Sequence, residues 1–237
     1  MIFECEGIGL SLGGRQILKD VSCRAQAGRI TGLVGPNGAG KTSLFEVMCG
    51  RYTADRGKVT LDGKDITRAL FHRRARAGLA RTYQSPVVPG TLTVGETFRA
   101  ARKSYAPFLS RHDAEWAARL VHLAVPWTTP AAALGAFDRR KLLLACLVMR
   151  RPKVLLMDEP ASGLINAEID ELDLIIRKLV DEYAMGMILI EHRLELLSAV
   201  ADDCVVLDLG EVIARGKPRD AFDDPRVRAA YFEGADA

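Results

Sequence analysis

Residues 35–42, Gly-Pro-Asn-Gly-Ala-Gly-Lys-Thr, form a glycine-rich segment whose residue types and spacing suit the binding of phosphate groups. The segment follows a short apolar run at 29–34, predicted as a buried strand, and precedes a helix predicted over about 41–49. Glycines let successive backbone N–H groups curl around a phosphate, and the N-terminus of a helix adds partial positive charge. Lys41 can reach the terminal phosphate oxygens, and the Thr42 hydroxyl is a ligand for Mg²⁺. The pattern therefore predicts a nucleoside triphosphate site rather than an incidental glycine-rich turn.

Two acids follow the apolar run at 154–157 and form a second candidate site. A buried strand would place Asp158 at the carboxyl edge of a sheet, where it can hold Mg²⁺ through water. Glu159 is the next residue, so its side chain points in a different direction and can polarise an attacking water. Strands often end in acids at a surface, but an ending of this kind after a phosphate-binding loop favours catalysis.

The arrangement of strand and helix patterns indicates how these residues are positioned. The first third of the chain is rich in strand patterns, residues 86–150 show helical spacing, and strands alternate with helices after residue 150. This alternation predicts a parallel sheet covered by helices. We expect one α/β domain, 1–237, in which 1–85 and 151–237 form a core with a β-subdomain and 86–150 form an inserted helical subdomain.

Composition restricts the class of protein. The 237 residues are 49% hydrophobic and 27% charged, and the net charge of +3 is too small to indicate a nucleic-acid partner. The five cysteines include no C-x-x-C pair, which argues against a disulfide framework and a structural zinc site. No apolar run approaches the roughly 20 residues that cross a bilayer, and the N-terminus lacks the pattern of a signal peptide. We expect a cytoplasmic protein that serves a membrane process, if at all, by docking.

Four motifs in a fixed order resemble the ABC ATPases over essentially the whole chain. They are the phosphate-binding loop, Gln84 after a strand, Asp158-Glu159-Pro160, and a strand that ends in Glu191-His192. The resemblance implies a P-loop NTPase core with an antiparallel β-subdomain and an inserted helical subdomain. It also implies that Gln84 senses Mg²⁺ and the attacking water, and that His192 contacts the γ-phosphate.

The resemblance supplies the predicted site in full, with ATP and Mg²⁺ as cofactors. Catalysis is assigned to Glu159, His192 and Gln84, and the metal to Thr42, Gln84 and Asp158. Leu12 stands just before Gly13-Gly14, where many relatives carry an aromatic residue that stacks on adenine, and it would cover the ring without a π contact. The predicted nucleotide-binding residues are Gly35, Pro36, Asn37, Gly38, Ala39, Gly40, Lys41, Thr42, Ser43 and Leu12.

Within this family the chain is most similar to the ATPases of branched-chain amino acid transporters. The similarity rests on residues 78–84, 189–194 and 224–232, much of which related ATPases for urea and for lipopolysaccharide export share. It implies import of branched-chain amino acids or a similar small solute. The implied partners are transmembrane permease subunits, a second ATP-binding subunit and an extracytoplasmic substrate-binding protein, with the chain peripheral on the inner face of the cell membrane.

The signature loop departs from the family pattern. Relatives read close to Leu-Ser-Gly-Gly-Gln, and this chain has Leu134-Gly135-Ala136-Phe137-Asp138. Gly135 has no hydroxyl, Phe137 replaces a glycine that allows close backbone approach, and Asp138 either brings negative charge to a phosphate or caps the helix. Ile165 also stands where relatives carry Asp or Asn for contact across the dimer. We expect a heterodimer with one competent and one degenerate site; the alternative is an ATP-holding structural or regulatory subunit with little hydrolysis.

A cluster of five arginines completes the set of features. The simpler interpretation is a solvated helix face, and the alternative is a docking surface for permease loops. The cluster consists of Arg68, Arg73, Arg74, Arg76 and Arg81.

Overall fold

In the computed structural model, which describes residues 2–84, 87–192 and 194–232, the strands form one four-stranded and one six-stranded sheet. The strands are β1 (Phe3–Leu12), β2 (Arg15–Ala25), β3 (Ile30–Val34), β4 (Arg56–Leu61), β5 (Lys64–Asp65), β6 (Leu79–Arg81), β7 (Val154–Asp158), β8 (Gly186–Ile190), β9 (Asp203–Asp208) and β10 (Glu211–Gly216). The helices are α1 (Lys41–Cys49), α2 (Phe71–Ala77), α3 (Val94–Arg102), α4 (Arg111–Leu120), α5 (Ala136–Val148), α6 (Asn166–Asp181), α7 (Leu194–Val200), α8 (Pro218–Phe222) and α9 (Pro225–Phe232), with a 3₁₀ turn at Ala131–Ala133.

The six-stranded sheet has the order β10-β9-β3-β8-β7-β6, and its strands from β9 to β6 are parallel. Strand β8 lies between β3 and β7. In its register Ile190 faces Leu33 of β3 on one side and Asp158 of β7 on the other. The carboxyl ends of these three strands therefore lie at one level, and each is followed by a predicted site segment.

The four-stranded sheet, β2-β1-β4-β5, is antiparallel, as the fold prediction required. Helix α1 packs between this sheet and the larger one, and six of its nine residues are buried. A helix that is apolar around most of its circumference is stable only inside a core. The segment after the phosphate-binding loop is thus held on all sides, which fixes where the loop can point.

Two helices of the region between β6 and β7 begin at capping boxes, which are visible in the sequence. Thr93 and Glu96 form a capping box at the start of α3, and Ser110 and Asp113 form another at the start of α4. The second box starts α4 at Arg111. The predicted limits of the subdomain at 86 and 150 stay a prediction, and residues 85 and 86 lie outside the described residues.

The structure corrects the expected surface role of the arginine cluster. Arg74 is 2% exposed and Arg81 is 6% exposed, so these two residues belong to the interior. Arg74 lies in α2, within the stretch interpreted as a helix face, and its guanidinium donates to the carbonyls of Val47 and Met48 at the end of α1. Arg68, Arg73 and Arg76 are exposed, so the choice between a solvated face and a docking surface stays a prediction for these three residues.

A search of the helices in residues 2–84, 87–192 and 194–232 finds none with the length and apolar character that a bilayer span requires.

Candidate active site

The phosphate-binding loop joins β3 to α1 through glycines in left-handed conformations. Gly35, Gly38 and Gly40 have φ of 151°, 81° and 101°. A Cβ on Gly35 would lie 2.1 Å from the carbonyl oxygen of Leu207, so a larger residue would push the loop away from β9. The sequence pattern and the backbone agree because only glycine can occupy these positions without strain.

Lys41 is the first residue of α1, and its ammonium group lies inside the loop. Its Nζ donates to the carbonyl oxygens of Gly35, at 2.6 Å, and Pro36, at 3.0 Å. Burial lowers the pKa of Lys41, and the carboxylates of Glu159 and Asp158 act in the opposite direction. The loop therefore presents a buried cation at the N-terminus of a helix, an arrangement that suits an anionic ligand.

A cavity of about 610 Å³ opens over this loop. The loop lines it with residues 37–43, strand β2 with residues 15–17 and 19, and the opposite wall carries Glu159 and His192. Leu12 is 38% exposed at the end of β1 and is not among the residues that line the cavity. The contact of Leu12 with adenine stays a prediction.

Glu159 contacts both of the other residues predicted to be catalytic, His192 and Gln84. Glu159 Oε1 is 2.6 Å from Nε2 of His192, and its Oε2 accepts a hydrogen bond of 2.5 Å from Nε2 of Gln84. Glu159 has φ of 46°, an uncommon conformation for a residue other than glycine, and its N–H donates to Ile190 O at 2.9 Å. Such a conformation persists only where the surroundings enforce it. Here it turns the carboxylate away from Asp158 and toward the cavity.

Asp158 ends β7 and is 6% exposed. Burial raises its pKa, while the adjacent guanidinium of Arg81 acts to lower it. The carboxylate lines a second cavity with Thr42 and Gln84, and Thr42 also lines the cavity over the loop. The three predicted metal ligands therefore line one cavity.

Sequence reasoning missed two charged residues that support this site, Glu46 and Arg81. Arg81 donates to Asp158 Oδ2 at 3.3 Å, and its Nη1 lies 2.9 Å from Oε1 of Glu46. Glu46 is four residues after Thr42, which places both on one face of α1. That spacing was visible in the sequence, but nothing there indicated that Arg81 would be buried.

Glu191 is a further missed residue. It is 3% exposed, and its Oε1 accepts a hydrogen bond of 2.9 Å from the N–H of Ala161. Burial raises its pKa, and the N–H groups of Ala161 and His192 oppose that shift. The bond ties the end of β8 to the segment that follows Glu159. Arg193, within the segment that resembles the transporter ATPases, lies outside the described residues.

The altered signature loop leads into α5, with Gly135 as the N-cap at φ −61° and ψ 165°. A Cβ at Gly135 would meet nothing within 4 Å. The ring of Phe137, expected to obstruct the loop, is instead 6% exposed and packs inward under Nζ of Lys141, at 4.6 Å from the ring centre. Asp138 forms a 3.1 Å ion pair with the same ammonium, so its charge is partly compensated. The missing hydroxyl at Gly135 is the alteration that remains at the surface.

The donor set fits both predicted ligands. The cavity over the loop offers N–H groups and a buried ammonium, which suit a nucleoside triphosphate, and the carboxylate of Glu159 lines the same cavity. Thr42 and Asp158 supply the oxygen atoms that Mg²⁺ prefers.

Comparison with known proteins agrees with this geometry. The family model described as ABC transporter matches residues 18–162, more than half of the chain. The chain belongs to the ABC transporter family. As an ABC ATPase it binds and hydrolyses ATP as the ATP-binding subunit of a transporter, and such subunits work with transmembrane permeases.

Relatives in this family differ in the transport that their names describe. The chain is 32% identical to the high-affinity branched-chain amino acid transport ATP-binding protein BraF of Pseudomonas aeruginosa, over 98% of this chain and 97% of that one. It is 31% identical to the probable branched-chain amino acid transport protein LivG of Archaeoglobus fulgidus, over 100% and 97%. It is 29% identical to the lipopolysaccharide export protein LptB of Acidithiobacillus ferridurans, over 98% and 96%.

Among solved structures, the ADP conformation of the ATP-binding cassette MJ1267 superposes with a TM-score of 0.87 at 25% identity, covering 97% of this chain and 98% of that one. The P-loop ABC ATPase fold expected from the motifs is confirmed.

Proposed function

We propose that this ABC ATPase energises the import of branched-chain amino acids or a similar small solute, with hydrolysis performed by Glu159, His192 and Gln84. The observation that carries the catalytic part is the contact of the Glu159 carboxylate with both other side chains at the cavity over the loop. The relatives named BraF and LivG support the solute class, although LptB is a relative of almost the same identity.

The geometry supports a specific role for each residue in phosphate binding, proton transfer and metal binding. Lys41 and the loop N–H groups bind the phosphates, and Glu159 accepts a proton from the attacking water as it approaches the γ-phosphate. His192, at 2.6 Å, fixes the orientation of that carboxylate and contacts the γ-phosphate. Gln84 holds the second carboxylate oxygen. Thr42, Gln84 and Asp158 would hold Mg²⁺, which supplies charge neutralisation at the phosphates.

Transport can be tested by reconstituting the chain in vesicles with its permease subunits and a substrate-binding protein. The chain is placed on the membrane face that corresponds to the proposed cytoplasmic side. We expect uptake of leucine, isoleucine or valine and parallel ATP hydrolysis that depends on the binding protein. Hydrolysis that responds to a lipid extract and not to any of these amino acids would contradict the proposed solute.

We propose further that the chain pairs with a second, non-identical ATPase. Each ATP in such a dimer is completed by a signature loop of the other subunit, and the loop of this chain lacks the serine hydroxyl at Gly135. The ATP bound by the partner is then completed by a weak loop, while the ATP bound here depends on the loop of the partner. A homodimer would contain two weak sites.

The substitution Gly135→Ser tests this asymmetry. The position has room for a side chain and the backbone of an N-cap, where serine is favoured, so the change should not disturb the fold. A donor aimed at developing charge is worth about 10²–10³ in rate, and we expect the new hydroxyl to raise turnover at the partner's ATP by at least about tenfold. Phosphate release is measured in complexes whose Glu159 is replaced by Gln, so that only the partner's ATP turns over.

Gly135→Ala is the matched control, because it adds the same Cβ without a hydroxyl. Equal turnover in the Ser and Ala variants would contradict the role assigned to the missing hydroxyl. A second candidate function is a subunit that holds ATP as a structural clamp, which the missing hydroxyl would favour in a homodimer, where this loop completes both ATP sites.

A further inference from the structure

The side chain of Arg81 is only 2% exposed and joins segments that are distant in sequence. Arg81 ends β6, and its Nη2 donates to Oδ2 of Asp158 at 3.3 Å. Its Nη1 lies 2.9 Å from Oε1 of Glu46 in α1 and 3.3 Å from Sγ of Cys49. One guanidinium therefore links the edge strand, the end of β7 and the helix that follows the phosphate-binding loop.

Aromatic rings hold this guanidinium in place. The ring of Phe45 is centred 5.6 Å from its Cζ, and the ring of Tyr83 is centred 4.8 Å away. Tyr83 directly precedes Gln84, whose amide reaches Glu159. Arg51 approaches the same tyrosine ring at 5.9 Å and pairs with Oε2 of Glu46 at 3.3 Å. The position of residues 82–84, the Gln84 segment, is thus coupled to the charges around Asp158.

The cluster is costly as a device for stability alone. A buried ion pair has to offset the desolvation of each charge, and replacing such a pair by apolar side chains is often neutral or stabilising. The geometry is directional instead: Arg81 donates to Oδ2 of Asp158, which lines the same cavity as Thr42 and Gln84. Partners behind a metal ligand commonly set its orientation in this way.

We propose that Arg81 is a positioning residue that orients Asp158 toward the metal and anchors the Gln84 segment beside Glu159. The inference rests on the metal role proposed above for Asp158. Arg81 would thereby fix the orientation of the Asp158 carboxylate and the position of the Gln84 amide together. The planar fork is required because one group must bond Glu46 and Asp158 at the same time, which an ammonium cannot do with the same geometry.

The test is the variant Arg81→Lys, compared with wild type for ATP binding by calorimetry in EDTA and in Mg²⁺, and for ATP hydrolysis as a function of Mg²⁺ concentration. Loss of a partner behind a metal ligand typically costs 10–100-fold in metal affinity or activity. We expect affinity in EDTA to stay within about twofold of wild type. The Mg²⁺ concentration for half-maximal hydrolysis should rise by about tenfold or more.

Arg74→Lys is the matched control, because Arg74 is equally buried but bonds only to carbonyl oxygens. It should lower the midpoint of thermal unfolding without changing the Mg²⁺ dependence. A second variant, Glu46→Gln, keeps the shape and an acceptor oxygen but removes the negative charge that pairs with Arg81, so it should shift the Mg²⁺ dependence in the same direction as Arg81→Lys.

Two different failures can be told apart. If wild type binds ATP equally in EDTA and Mg²⁺, the metal role of Asp158 is wrong. If wild type responds to Mg²⁺ and both Arg81→Lys and Glu46→Gln respond identically to it, the positioning role is wrong and Arg81 serves only the core.

Discussion

Glu159→Gln should lower ATP hydrolysis by about 10²–10⁴-fold, the usual contribution of a general base, while ATP binding stays close to wild type. The amide has the same shape and can keep a contact with both His192 and Gln84, whose atoms lie at 2.6 and 2.5 Å from the carboxylate. It cannot accept the proton of the attacking water. Phosphate release by the assembled complex measures the rate, and titration with a fluorescent ATP analogue measures binding.

The matched control for this variant is Glu115→Gln in α4, since Glu115 is paired only with Arg111 at the surface and lies outside the cavity. Its hydrolysis should equal that of wild type. If Glu159→Gln kept more than a tenth of wild-type turnover at this chain's own ATP, Glu159 would not be the base. If wild type itself bound ATP without turnover in the full complex, the clamp function would replace the catalytic one.

Arg74→Met should lower the free energy of unfolding by about 3 kcal/mol or more. The guanidinium donates to four carbonyl oxygens at 2.7–2.8 Å, those of Ala69, Val47, Met48 and Thr67. Each buried acceptor that loses its donor costs roughly 1–3 kcal/mol, partly recovered by the apolar side chain. Urea denaturation followed by circular dichroism measures the change.

Arg73→Met is the control for this prediction. Arg73 is the neighbouring residue on α2 but is exposed, so its substitution should change stability by no more than about 0.5 kcal/mol. Similar unfolding midpoints for the two variants would mean that the carbonyl contacts of Arg74 contribute little to stability.

The motifs predicted well which segments meet at one edge of the sheet, because each follows the end of a strand. Parallel strands end at one edge of a sheet, so the loop after β3, the acids after β7 and His192 after β8 had to meet there. The strands of the antiparallel sheet and helix α1 were also visible in the sequence. What these segments share is a local signal: glycines, an apolar run, or a polar residue at its end.

Burial of charge could not be predicted in the same way. Arg74 and Arg81 occur in a stretch that also contains exposed arginines, and only their distant partners, the end of α1 and Asp158, distinguish them. Phe137 is a similar case, because its inward rotation depends on space beside α5 and on Lys141. These features arise from contacts between residues far apart in sequence, which spacing along the chain does not record.

The order of strands has a consequence for protein synthesis. Strand β8 lies between β3 and β7 in the sheet, although it follows both in the chain. A growing polypeptide that has emerged only through β7 therefore lacks the strand that brings the loop after β3 beside the acids after β7. ATP can therefore stabilise the folded chain through contacts with both segments only after β8 has inserted, since a ligand stabilises only the states that bind it.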